Sequence, residues 1–296
     1  MMIQRVTHYL SLVKFSHTVF ALPFAFIGFT LGAIELYKQQ PDIGIAFYLP
    51  LFLKVLLCMV WARSAAMAFN RYLDRRFDAL NPRTAQREIP AGIISAPQAL
   101  AFTILCALLF IVTTYFINLL VFYLSFVALF VILFYSYTKR FTPLCHLVLG
   151  LGLSLSPIGA YLAVTGFFSL LPILFSGIVF TWVSGFDIIY ALQDEEFDKA
   201  HNLHSIPAAL GKKNALLVSK TLHTLSAILV ITTGYLGAFN LVFWMGALLF
   251  IGLLIYQHTL VSPNNLSKVN MAFANTNGAA SIIFAIFVII DRLLYL

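Results

Sequence analysis

Charge is what this sequence has least of. Asp, Glu, Lys and Arg make up 10% of its 296 residues, where soluble domains carry roughly 25%. A chain so poor in charge cannot clothe a water-facing surface, so an ordinary soluble domain is excluded. Acids are scarcer than bases, 11 against 18, and the resulting net charge of +7 reads as membrane topology; no nucleic-acid partner is implied. Cysteine is sparse as well. Cys58, Cys106 and Cys145 lie in or beside apolar runs, and an odd count without ligand spacing excludes a disulfide framework or a thiolate metal site. They read as small buried hydrophobes. The histidines His17, His146, His201, His204, His223 and His258 show no metal-ligand spacing apart from His201-x-x-His204, a weak signal by itself. No cleavable signal peptide is expected, because residues 1–14 are polar and mixed and no cleavage-type small residues follow a short apolar core.

What the chain does have is apolar length. Hydrophobic residues are 61% of it, 29 of them Phe, and the mean hydropathy is +0.94. A membrane-spanning helix needs about 20 mostly apolar residues. Nine stretches qualify, near 15–36, 47–69, 98–117, 119–138, 145–165, 170–190, 215–236, 240–260 and 270–290. The fold class expected is therefore all-α, a polytopic membrane protein forming one transmembrane domain over 1–296. Fourteen of the 18 Lys and Arg fall on the side of the N-terminus and the even-numbered connections. Lys38 and Arg292 fall on the other, and Lys54 and Arg63 lie within the second span. The positive-inside rule places the fourteen in the cytoplasm. Setting aside the five arginines of one motif loop leaves nine against two, so the orientation stands.

The densest charge follows the second span, in residues 70–92. Asn70, Asp74 and Asp78 are spaced four apart; on a continuing helix they share one face at about 6 Å per step. An amide oxygen and two carboxylates in a row form a hard-oxygen surface suited to Mg2+. Arg83 and Arg87 follow, with the fixed forks that grip phosphate. A second copy lies at 187–211. Asp194 and Asp198 repeat the four-residue step, with Asp187 and Tyr190 one to two turns earlier. Both copies contain Asp-x-x-Phe-Asp (Asp74, Phe77, Asp78; Asp194, Phe197, Asp198) and then Ile-Pro-Ala (Ile89, Pro90, Ala91; Ile206, Pro207, Ala208). This is an internal repeat. It spans about 15–138 and 145–260, two four-helix units with 270–290 as an extra helix. The expectation is that the second and sixth spans face each other, with their acids converging at the cytoplasmic end of a central cavity.

Acids gathered at a membrane mouth are costly without cations, and Mg2+ bridging to a diphosphate relieves that cost. Arg63 lies two turns before Asn70 on the same helix face. It either pairs with Asp187 or binds a substrate carboxylate; both readings stay open. Lys139 and Arg140, after the fourth span, read either as interfacial anchors or as part of the site. Pro23, Gly28, Pro157 and Gly159 set kinks or close packing within helices. A carboxylate and Mg2+ site beside arginines, above an apolar helical cavity, fits a lipid diphosphate. Departure of that diphosphate from an allylic carbon leaves a cation. Metal and cationic side chains would hold the leaving charge, while carboxylates and aromatic faces would hold the cation.

Asn70-x-x-x-Asp74-x-x-x-Asp78 followed by Arg83-Thr84-x-x-Arg87-x-Ile89-Pro90-x-Gly92 resembles the first signature of the UbiA-type intramembrane aromatic prenyltransferases. Asp187-x-x-Tyr190-Ala191-x-x-Asp194-x-x-x-Asp198 resembles the second, and Tyr135 to Thr142 resembles the segment after the fourth helix. Arg63, seven residues before Asn70, fits the same pattern. The resemblance covers nearly the whole chain. It implies that Asn70, Asp74, Asp78, Asp194 and Asp198 hold Mg2+ and, through it, a polyprenyl diphosphate. Arg83, Arg87, Lys139 and Arg140 would contact the diphosphate or shape the loop over it. Arg63 or Arg140 would orient the acceptor's carboxylate, and Asp187 and Tyr190 would sit near the acceptor or the allylic cation. Asp74, Asp78, Asp187, Asp194 and Asp198 would be the catalytic acids.

The implied reaction is electrophilic substitution on an aromatic hydroxy acid. In the subgroup most resembled the acceptor is 4-hydroxybenzoate, in ubiquinone biosynthesis. Asn81-Pro82-Arg83-Thr84 and Gln193 to Lys199 also resemble bacterial relatives acting on 1,4-dihydroxy-6-naphthoate, on a menaquinone route. The expected location is the bacterial cytoplasmic (inner) membrane, among its lipids, with the site facing the cytoplasm. Two rival classes fit less well. A cation-coupled transporter places its acids near the bilayer midplane. A CDP-alcohol phosphotransferase carries Asp-x-x-Asp-Gly, which does not occur here.

Overall fold

The computed structural model describes residues 2–13 and 20–296, with side chains from residue 7 onward. Lys14 and His17 lie outside the described residues. Eleven α-helices run in order: α1 Met2–Leu12, α2 Leu22–Gln39, α3 Ile45–Leu80, α4 Ala96–Tyr115, α5 Leu119–Thr138, α6 Cys145–Thr165, α7 Leu170–Ala191, α8 Glu195–Ala200, α9 Ile206–Leu236, α10 Leu241–Thr259 and α11 Asn277–Leu294. A 3-10 turn, Leu192–Asp194, joins α7 to α8, and a π-helical segment, Met271–Thr276, leads into α11. Among the described residues there is no strand, only an isolated bridge between Ser262 and Asn265.

Among the described residues eight stretches are long and apolar enough to cross a membrane: α3, α4, α5, α6, α7 through α8, α9, α10, and the π segment with α11. The first expected span, 15–36, corresponds to α2. Within the described residues α2 is only 18 residues long, and its last turns carry Glu35, Lys38 and Gln39, which dilute its apolar run. At 36 residues α3 is far longer than the roughly 20 a crossing requires. Its charged C-terminal turns therefore extend past its apolar part while staying helical.

The chain divides into two compact units, Met1–Thr18 with Leu53–Tyr137, and Val19–Phe52 with Thr138–Leu296. In the first, Leu12, Ala68, Ile94 and Ala99 pack together with Tyr9, Tyr72, Ile89 and Phe102 around them. That cluster joins α1, α3 and α4 to the loop between α3 and α4. Ser95 starts α4 with a reciprocal cap, its hydroxyl accepting from Gln98 N and its own N–H donating to the Gln98 side chain.

In the second unit α2 packs on α6, α6 on α7, α7 on α9, and α10 on α11. Its core centres on Trp182, Phe24, Phe175, Phe243, Phe250 and Phe284, all fully buried. The Trp182 indole N–H donates to Asn277 Oδ1 at 2.9 Å, and the Asn277 amide donates in turn to Ala272 O and Phe273 O. One side chain thus ties the core to carbonyls of the π segment, as buried backbone in an apolar setting requires. Asp291, fully buried near the end of α11, accepts from Asn240 N and Phe243 N. It caps α10 across 48 residues or more, a carboxylate at a helix N-terminus. The three cysteines are free; Cys106 and Cys145 are buried as expected, whereas Cys58 is only half-buried.

Candidate functional site

In the first unit the motif is built on the last turns of α3 and the loop that follows. Asn70 donates to Asp74 Oδ2 at 3.0 Å, the contact an i,i+4 pair on one helix face makes. Asp78, one turn on, is buried. Its Oδ1 accepts from Arg87 at 2.6 Å. Its Oδ2 is shielded from solvent and has no hydrogen-bond partner among the described residues.

The loop reaches back to α3 through the Thr84 hydroxyl and is braced by hydrogen bonds within itself. Thr84 Oγ1 donates to Asp78 O, Arg83 N to Asn81 Oδ1, and Ile93 N and Ile94 N to Glu88 O. Gly92 takes φ +74, the left-handed turn that glycine adopts without strain. Glu88 is buried and accepts from Ser11 of α1. Arg87 is therefore delivered onto Asp78 by a loop pinned at Thr84, Glu88 and Ile89, whereas Arg83 is exposed. Arg63 is half-buried further back on α3, its Nε sealed from solvent.

In the second unit the corresponding stretch is not one helix. Asp187 and Tyr190 lie on the last turns of α7, Asp194 on the 3-10 turn, and Asp198 on α8. Asp198 is fully buried. It is ion-paired with Lys139 Nζ at 2.7 Å and accepts from Ser205 Oγ at 2.8 Å. Lys139 sits between α5 and α6 and is held by its backbone as well, its carbonyl accepting from His204 N at 2.7 Å. Burial alone would lower the Lys139 ammonium, but the Asp198 charge and hydrogen bond, with Asp194 behind them, outweigh it and raise its pKa. On this geometry Lys139 is the counter-ion of the buried Asp198. Arg140 beside it is half-buried.

Asp187 Oδ2 is paired with His146 Nδ1 at 2.7 Å. His146 Nε2 faces the Ile206 N–H, which fixes the proton on Nδ1. His146 thereby links the first turn of α6, the end of α7 and the start of α9. The Tyr190 ring lies 4.2 Å from that of Phe273. His201 turns its ring nitrogen to Phe197 O and stacks on Phe197, a structural use of the histidine.

Each unit thus brings its own predicted residues together: Asn70, Asp74, Asp78 and Arg87 in one, Lys139, Asp194 and Asp198 in the other. The sequence missed His146 and Ser205, whose partners lie 41 and seven residues away with no periodic signal. Among the described residues no group of three or more His, Cys, Asp and Glu gathers closely enough to hold a metal. The unpartnered Oδ2 of Asp78 is an anionic oxygen of the kind a metal cation satisfies, and each Asp198 oxygen keeps a lone pair beyond its present partner.

The model of the UbiA prenyltransferase family matches residues 21–280. The chain belongs to that family. It is a UbiA-family prenyltransferase and an integral membrane protein. The 4-hydroxybenzoate octaprenyltransferase of Tolumonas auensis is 33% identical over 224 residues, 75% of this chain and 78% of that one. The apo structure of a UbiA homologue from Aeropyrum pernix K1 matches with TM-score 0.80 and 31% identity, over 93% of this chain and 98% of that one. A UbiA homologue from Archaeoglobus fulgidus, bound to DMAPP and Mg2+, shares the fold at TM-score 0.69 and 23% identity, over 93% of this chain and 98% of that one.

Proposed function

We propose that this UbiA-family chain transfers a polyprenyl group from a polyprenyl diphosphate to a ring carbon of an aromatic hydroxy acid, 4-hydroxybenzoate, in respiratory quinone biosynthesis. The observation that carries it is Asp78, with one carboxylate oxygen gripped by Arg87 and the other buried and unpartnered. A carboxylate set between a guanidinium and an unmet need for a cation suits a diphosphate arriving with its metal. The name of the Tolumonas relative supports the acceptor. The DMAPP and Mg2+ bound to the Archaeoglobus homologue agree with the donor class and the metal.

Asn70, Asp74 and Asp78 in one unit, and Asp194 and Asp198 in the other, would hold Mg2+, which when bound would supply neutralising charge for the departing diphosphate. The chain's own residues do the rest. Arg83, Arg87, Lys139 and Arg140 bind the diphosphate and hold its charge in place. The C–O bond to the allylic carbon breaks, and its electron pair leaves with the diphosphate. A ring carbon of the acceptor supplies the pair for the new C–C bond and then loses its proton. Asp187, oriented by His146, and Tyr190 serve the acceptor and the allylic cation. Arg63 or Arg140 anchors the acceptor's carboxylate.

The excess of Lys and Arg on the motif loops supports a cytoplasm-facing site in a bacterial inner membrane. A product assay tests the reading. Purified protein receives a prenyl diphosphate and either 4-hydroxybenzoate or 1,4-dihydroxy-6-naphthoate, with Mg2+ or with chelator. The expected result is a Mg2+-dependent prenylated 4-hydroxybenzoate. A product with the naphthoate alone moves the enzyme to the menaquinone route that Asn81 to Thr84 resembles. No product with either acceptor overturns the reading.

A further inference from the structure

Arg71 follows Asn70 in the charged stretch of α3. It is only 5% exposed, its Nε has no hydrogen-bond partner among the described residues, and no ion pair reaches it there. The ionisable groups that act on it most are Arg87 and Asp78, then Tyr135 and Glu88. Arg63 is within electrostatic reach as well. The two acids in this group are already engaged, Asp78 by Arg87 at 2.6 Å and Glu88 by Ser11. Three guanidiniums thus share one neighbourhood with two carboxylates that have other partners. A buried guanidinium without a counter-ion is among the costliest groups a membrane protein can hold. Such a group is kept where a ligand brings the missing charge.

Arg71 and Asp78 are seven residues apart on one continuous helix. That is two turns, about 10 Å along the axis and on one face. At one end the buried Asp78 Oδ2 has no hydrogen-bond partner among the described residues. At the other the buried Arg71 Nε has none either, and the carboxylates near it are engaged elsewhere. A metal-bound diphosphate presents a partner for each at once, and a planar fork suits its phosphate oxygens.

We propose that Arg71 is a further diphosphate-binding residue, acting with Arg87 on the phosphate oxygens of the prenyl donor. This rests on the prenyl-transfer reading of the site and extends it to a residue with no assigned part. It also gives a reason for an unpaired charge inside α3, since the cost of the empty state is recovered as affinity for the donor.

The test uses the full-length protein in detergent, with inorganic pyrophosphate and Mg2+ as the probe and 4-hydroxybenzoate as a second ligand. Binding is read as the shift in thermal midpoint. Arg71→Gln is expected to keep or raise the ligand-free midpoint, because it removes a buried unpaired charge. It is expected to weaken pyrophosphate binding about tenfold or more and to leave 4-hydroxybenzoate binding unchanged. Arg71→Lys is expected to restore only part of the affinity, because a lysine offers a point charge without the fork. Wild-type pyrophosphate affinity in folded Arg71→Gln overturns the proposal, and so does a loss confined to 4-hydroxybenzoate. If Arg71→Gln does not fold, Arg71→Lys decides: weakened pyrophosphate binding supports the role, and wild-type binding overturns it. A wild-type protein that binds no pyrophosphate overturns the donor reading itself, and Arg71 falls with it.

Discussion

Lys139 and Asp198 show what single residues contribute here. Asp198 is fully buried, and Lys139 is its one cation at 2.7 Å. Removing the lysine leaves an uncompensated charge, which in comparable settings costs about 3–5 kcal/mol. Lys139→Met should therefore lower the thermal midpoint, and adding Asp198→Asn should restore much of that loss without restoring turnover. Thermal melts paired with the product assay separate the two effects; a double variant that regains activity would make the pair purely structural. Asp74 and Asp194 are different. Asp74→Ala and Asp194→Ala should each abolish product formation while the protein still purifies folded, and near-normal turnover in both would contradict a metal role. Arg63→Ala should raise the apparent KM for the acceptor more than for the prenyl donor, and the reverse pattern would argue against its anchoring the carboxylate.

At the scale of elements, the two motif copies share letters but not local structure. Asp74 and Asp78 ride a helix that runs unbroken to Leu80. Asp194 and Asp198 stand across a 3-10 turn and the short α8. Ile89 and Pro90 lie in a turn, whereas Ile206 and Pro207 open α9 behind the capping hydroxyl of Ser205, where a proline loses nothing by lacking an N–H. Spacing alone could not show this, because identical residues accept either backbone when their tertiary partners differ. Close packing is equally specific. A Cβ on Gly28 would stand 2.0 Å from Pro157 O, a backbone atom that cannot yield, while one on Gly159 would meet nothing within 4 Å. Gly28→Val should prise α2 from α6 and cost about 2 kcal/mol or more, whereas Gly159→Ala should melt like the wild type. Both are read by thermal unfolding in detergent; equal midpoints would mean that α2 and α6 do not pack as described.

At the scale of the whole chain, topology follows from where the charges fall. Lys38 in the last turn of α2 and Lys213 in α9 are both exposed, and the positive-inside rule puts them on opposite sides. With the native cysteines replaced, Lys213→Cys should react with a membrane-impermeant maleimide only in inside-out vesicles and Lys38→Cys only in right-side-out ones. Labelling of both in one preparation would overturn the orientation. The sequence by itself determined the all-helical membrane class, the family and the two signature stretches. Those rest on local quantities: apolar run length, the four-residue step that puts acids on one helix face, and the order of charged side chains. Only the tertiary structure decided who meets whom. His146 holds Asp187 across 41 residues, Lys139 holds Asp198, Asp291 caps α10 from the end of α11, and Arg71 is buried with its Nε unpartnered among the described residues. None of these has a period or a spacing, because a partner brought in by helix packing leaves no mark on the residues between.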